Sequence, residues 1–181
     1  MAWELANEPR PMRPSAVDHY KNWIAETSAF IKTKAPKQLV TLGHEGSIGT
    51  ESVEIFEEIH RDPNVDYVTI HIWAKNWGWL KGTDVAGGYP VAAEKARKYV
   101  EEQLAIAKKL DKPMVIEEFG LPRDGHSFDP ASTTIYRDRY FEMMFKFIGG
   151  HVAGANFWAF GGSARPTKGQ LFWKAGDEYM G

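Results

Sequence analysis

Two periods of apolar spacing take turns along the chain. Five short apolar runs, Trp3 to Ala6, Leu39 to Leu42, Tyr67 to Ile72, Pro113 to Glu118 and Ala155 to Phe160, each end in a polar or glycine-rich stretch and read as strands. Between them lie four segments with helical spacing. Residues 15–34 open on Ser15 and Asp18 in a capping-box arrangement and set Tyr20, Trp23, Ile24, Thr27 and Ile31 along one stripe. A shorter helix is expected over 51–60. A long one over 91–110 turns Val91, Ala96, Val100, Leu104 and Ala107 inward and leaves its Lys and Glu residues as a solvated face. The fourth, 132–148, follows Asp129-Pro130, where Asp suits the cap and Pro the first turn.

Strands that alternate with helices and share no hairpin turn must be joined by crossovers, which are right-handed and give a parallel sheet. The class is therefore α/β, and a doubly wound sheet and a (β/α)8 barrel fit the pattern equally. In both, chemistry gathers at the carboxyl ends of the strands. Here those ends carry Asn7-Glu8, His44-Glu45, His71 with Trp73, Glu118, and Trp158. Glycosidic hydrolysis uses such an inventory: two carboxyl groups flanking the bond, donors to sugar hydroxyls and an aromatic floor.

Each of these residues also has a plainer reading. Glu8 before Pro9 is, on spacing alone, an exposed loop acid; His71 is a hydrogen-bonded structural residue; Trp158 is core. Glu117 and Glu118 are harder to dismiss, because adjacent acids in a strand point to opposite faces, so one enters packed surroundings and must be paired or functional. Alternation groups Glu118 with Met114 and Ile116 as the inward set and turns Glu117 toward the helices, where it needs a basic partner. His71 and Trp73 share a face by the same rule.

Composition narrows the partners. The 181 residues suit a single domain, and 22 Lys+Arg against 24 Asp+Glu give a net charge of -2, with no basic stripe to attract nucleic acid or an anionic membrane. No apolar run reaches the ~18 residues of a membrane span, and Met1-Ala2-Trp3-Glu4 does not read as a secretory signal. With no cysteine there is no thiol nucleophile. The six histidines form no HExxH or close pair, so neither a metal nor another cofactor is expected. Gly161 to Gly169 lacks the order of a phosphate loop, and no serine sits in a G-x-S-x-G elbow. Seven tryptophans exceed what a core of this size needs and suit the flat apolar faces of sugars.

The segments WELANEPR, LVTLGHEG, YVTIHIWAKNWGWL, PMVIEEFG and GANFWAFGG, in that order, resemble glycoside hydrolase family 5, and within it the endo-β-1,4-mannanases. The resemblance implies a (β/α)8 TIM barrel that hydrolyses β-1,4-mannan with retention, β-1,4-glucan being the alternative substrate. It implies Glu8 as acid/base and Glu118 as nucleophile, Asn7 on the sugar 2-hydroxyl, His71 holding the nucleophile side of the site, and Trp158 as the stacking floor. Trp73 stands where many relatives place a Tyr, and an indole is not expected to repeat a phenol's contact to the nucleophile. The implied location is secreted or periplasmic. The match runs over strands 4 to 8 of the barrel, so residues 1–181 are expected to form one partial barrel domain, a half-barrel lacking the first three β/α units with their Arg and His; a whole barrel takes about 250 residues. Such a piece is expected to self-associate or to pair with a complementing amino-terminal half. The competing reading is an inert half-barrel with a structural role, or one binding oligosaccharide weakly through Trp73, Trp77, Trp79 and Trp158.

Overall fold

The computed structural model describes residues 2–127, 129, 131–158 and 169. The glycine-rich run after Trp158, apart from Gly169, lies outside the described residues, as do Pro130 and the carboxyl-terminal segment 173–181, read from sequence as a loop entering a final helix. The described strands are β1 (Ala2–Glu4), β2 (Leu39–Thr41), β3 (Val68–Ile72), β4 (Met114–Phe119) and β5 (Val152–Ala155). The helices are α1 (Val17–Lys34), α2 (Ser47–Thr50), α3 (Val53–His60), α4 (Val85–Lys109) and α5 (Ile135–Phe145).

All strand pairs are parallel, as the crossovers require, but they do not form one five-stranded sheet. β1 pairs with β2, and β3, β4 and β5 form a second sheet in that order. The ladder breaks between β2 and β3 because Asp66 intervenes: its carboxylate accepts from the Val40 N–H at 2.6 Å and from Lys32 Nζ at 2.6 Å. What spans the gap is one backbone bond, Asp66 N–H to the Val40 carbonyl at 2.8 Å, plus Thr41 Oγ1 donating to the Tyr67 carbonyl and His44 N–H donating to Thr69 Oγ1. The last of the expected strands sits earlier than its apolar run suggested, ending at Ala155.

The helices cover one face. Val68, Ile70, Ile72, Met114, Ile116 and Phe119 pack against Ala92, Ala96, Val100 and Ala107 of α4 and Tyr140 and Met144 of α5. A smaller core joins Tyr20 and Ile24 of α1 to Leu42, Ile59 and Val65. The opposite face is open at β1 and β2, where Leu39 is 52% exposed and β1 is exposed along its length, while Thr69 and His71 of β3 are buried.

Local signals account for most of the helix ends. Ser52 caps α3 by accepting from the Ile55 N–H, and Asp84 caps α4 by accepting from Gly87, which starts that helix before the expected Val91. Val91 itself is exposed, and the neighbouring Ala92 takes the buried stripe together with Gln103. The expected capping box at Ser15 does not form; a 3-10 turn over Pro14–Ala16 precedes α1, whose buried stripe is Tyr20, Ile24 and Ser28, with Trp23 at its edge. Asp129 does not cap α5 either. Asp124, folded back from an upstream turn, accepts from the Ile135 and Tyr136 N–H groups instead. Among the described residues no helix is long and apolar enough to cross a membrane.

Candidate active site

The carboxyl ends of β1 to β4 converge on one cluster. Its first component is the turn after β1. Leu5 N–H donates to the Thr41 carbonyl and Glu8 N–H to the Gly43 carbonyl, so pairing with the β2 segment continues past the strand and holds residue 8. Glu8 adopts φ 48, a left-handed backbone that a side chain seldom takes and that clusters at functional sites. Gly43 makes the close approach possible: it has φ +70, and a Cβ there would collide with the Ala6 carbonyl oxygen and the Glu4 carboxyl.

The second component is an irregularity in β4. Register runs Ile70 to Ile116 and then His71 to Glu118, so Glu117 is the extra residue of a β-bulge. The bulge undoes the alternation expected from sequence. Met114 and Ile116 face the helices, not the interior of the curve, and both Glu117 and Glu118 reach the open face beside His71. Among the described residues Glu117 therefore has no basic partner from a helix. Its buried Oε2 lies 3.5 Å from His71 Nε2, and its other close neighbour is Glu4. Burial and the adjacent Glu117 carboxylate push Glu4 up to about 7.

His71 is the hub. Its side chain is 1% exposed, with Nδ1 2.9 Å from Glu8 Oε1 and 3.5 Å from Glu118 Oε2. It thus bridges both catalytic candidates and sits nearer Glu8 than Glu118, where the nucleophile side had been expected. Burial pulls its pKa down, but Glu117, Glu8 and Glu118 together outweigh that and raise it, favouring an imidazolium amid the carboxylates. One ligand atom each from Glu8, His71 and Glu118 falls within 4.8 Å of the others, an arrangement open to a cation and equally to a sugar between two carboxyl groups.

Trp73 departs from expectation. Its indole Nε1 donates to Glu118 Oε2 at 3.2 Å, making the contact that an indole was not expected to make. The ring passes over Gly120, where a Cβ would lie 3.0 Å from it, and meets Trp158 edge to face at 5.6 Å between centroids. Trp158 is 56% exposed and anchored by its N–H to the Phe119 carbonyl, so it is a surface ring and not core. Asn7 is exposed beside Glu8. Trp77 and Trp79, by contrast, pack edge-on against Tyr99 of α4 at 5.2 and 5.9 Å, which makes them scaffold.

Sequence reasoning left three participants without a role: Arg10, Glu45 and Glu4. Arg10 Nη2 pairs with the Glu45 carboxylate and lies 3.8 Å from Glu8 Oε2. Glu45 is 1% exposed, and burial, reinforced by Glu8 and opposed by Arg10, raises its pKa. The usable signal was a buried strand-end acid, which needs a cation, with an arginine two residues beyond the other acid. Next to Glu45, burial holds His44 down at about 3 and hence neutral.

Parallel β/α units with paired acids, a histidine and two indoles meeting edge to face at the strand ends are the kind of arrangement that carbohydrate hydrolysis uses. The family model described as GH family 5 beta-mannosidase-like matches residues 1–181, and the chain belongs to glycoside hydrolase family 5. It is 32% identical over 166 residues to mannan endo-1,4-beta-mannosidase 2 of Arabidopsis thaliana, a match covering 81% of this chain and 35% of that protein. Among solved structures, a family 5 mannosidase from Rhizomucor miehei superposes with a TM-score of 0.80 at 32% identity, over 96% of this chain and 43% of that one. The endo-beta-1,4-mannanase of Thermotoga petrophila superposes with a TM-score of 0.66 at 26% identity, over 98% and 39%. The chain thus spans about two fifths of the length of these relatives.

Proposed function

We propose that the chain carries the catalytic carboxyl groups of a retaining hydrolase of β-1,4-mannan. The observation that carries this reading is the convergence of Glu8 and Glu118 on His71, with one oxygen of each within 4.8 Å. Retention calls for carboxyl groups about 5 Å apart, whereas inversion leaves roughly 6.5 Å or more for a water. Glu118, oriented by Trp73, attacks the anomeric carbon as a carboxylate while Glu8 protonates the leaving oxygen; Glu8 then acts as base toward the water that releases the product. Asn7 reaches the 2-hydroxyl, and Trp158 receives the sugar face. Mannan is preferred to glucan because the relatives are named for mannan, and one mutant of the Rhizomucor miehei mannosidase was solved in complex with mannosyl-fructose. A polysaccharide of this kind places the protein outside the cytoplasm, secreted or periplasmic.

We further propose that the strands correspond to strands 4 to 8 of the barrel, so that residues 1–181 are one partial catalytic domain. The open face, and a length about two fifths that of the relatives, support this. They also favour the second reading, a piece that needs a complement before it turns over. Reducing-end release from β-1,4-mannan by the chain, beside Glu118→Gln prepared identically, separates the two. Turnover abolished by the substitution supports the hydrolase; turnover equal in both proteins removes Glu118 from the mechanism. For the acid role, Glu8→Gln should lose more on mannan than on an activated aryl mannoside, and equal losses would reject it.

A further inference from the structure

We propose that Arg10 and Glu45 form a charge-neutral clamp that positions the Glu8 carboxyl for proton transfer, an inference that rests on the reading of Glu8 as acid/base. The two oxygens of Glu8 have different neighbours, Oε1 facing His71 Nδ1 at 2.9 Å and Oε2 facing Arg10 Nη2 at 3.8 Å. An acid that must deliver a proton is poorly served by a lone guanidinium at that distance, which stabilises the carboxylate. Glu45 supplies the compensating charge on the same Nη2. A charge buried to 1% exposure is retained only when paired, and its backbone is fixed as well: the Tyr99 hydroxyl of α4 donates to the Glu45 carbonyl at 2.8 Å. The packing leaves it no slack, since a Cβ on Gly49 would lie 2.9 Å from Glu45 Cγ. The arginine is thereby held where it can orient Glu8 without adding net charge. The other titratable groups facing the clamp are His44 from the β2 loop, His71 from β3 and Tyr99 from α4, and His71 in turn contacts Glu117 and Glu118 of β4.

The test is a carboxyl 13C NMR titration of the folded chain, with the Glu8 signal assigned by its loss in Glu8→Gln. In Glu45→Gln the freed Arg10 charge should move the Glu8 midpoint down by about one pH unit. In Arg10→Gln it should move up, and in the double variant it should return to the wild-type position. A packing role alone would not give shifts of opposite sign that cancel. Glu8 curves that coincide in the folded variants, or single variants that shift in the same direction, would overturn the clamp. Arg10 has 46% of its side chain exposed, so Arg10→Gln remains informative if Glu45→Gln fails to fold. Mannan turnover equal in the wild type and Glu118→Gln, with Glu8 shifts as described, would remove the hydrolase reading and keep the clamp.

Discussion

Glu8 is held in a backbone conformation it would not choose, and the residue that makes this possible is Gly43. A left-handed φ costs a residue with a side chain roughly 1–2 kcal/mol. Gly43 has φ +70, and any Cβ would strike the Ala6 carbonyl oxygen. Gly43→Ala should therefore destabilise by more than about 2 kcal/mol in urea unfolding and release the Glu8 turn, and an unchanged unfolding midpoint would contradict that. Trp73 carries a different kind of contribution. Its N–H donation to the Glu118 carboxylate is worth about 1.5–3 kcal/mol where the acceptor is charged. Trp73→Phe keeps a ring over Gly120 and against Trp158 but removes that donor. Expected is a fall in kcat/KM of at least about tenfold on mannan with little change in thermal midpoint. A variant with wild-type kcat/KM would show that the indole only packs. That contact was not legible from the residue type, because whether an indole N–H reaches Glu118 depends on the Gly120 backbone beneath it.

At the scale of elements, the order of strands and helices was readable because each strand is a short apolar run and each crossover carries a buried stripe such as Ala96, Val100 and Ala107. Glu118 and His71 could be picked out as strand-end residues, but the side each presents could not. The bulge at Glu117 belongs to the pairing of β4 with β3, and one strand read alone does not reveal it. The same limit hid the Asp66 carboxylate that breaks the sheet, since its partner Val40 lies far away in sequence. Pairing between elements also governs the response to pH. His44 and His60, 6.1 Å apart between ring centroids, are fully buried, and burial holds them down at about 3 and about 4. Unfolded histidines bind a proton near 6.5, so the unfolded state gains protons first as pH falls. The contribution of these two rings to stability should be level above about pH 6.5 and drop below it, by up to about 1.4 kcal/mol per pH unit for each ring, until the folded-state values are passed. His60→Gln should flatten this dependence, and a slope identical to that of the wild type would assign the loss to other groups.

At the scale of the whole molecule, the helices shield one face of a curved pair of sheets and leave the other to solvent. Among the described residues β1 and β5 each end a sheet with an unpaired edge, and exposed edges and apolar faces are surfaces that proteins ordinarily cover. The chemistry of the open face says what can cover it. Glu4, Glu8, Glu117 and Glu118 cluster there around His71, and Leu39 and Trp158 are exposed. A second copy would bring the same acids face to face, and like charges brought out of water are costly. A complement that contributes basic and neutral donors from three further β/α units has no such conflict and would close an eight-stranded barrel. Scattering at micromolar concentration should then report the mass of one chain, and a stable dimer would contradict the charge argument. Addition of a separate polypeptide carrying the first three β/α units of a family 5 mannanase should produce a one-to-one complex, a higher urea midpoint and faster mannan cleavage. If such a polypeptide binds and leaves both midpoint and turnover unchanged, the open face is not the barrel interior and the assignment to strands 4 to 8 fails.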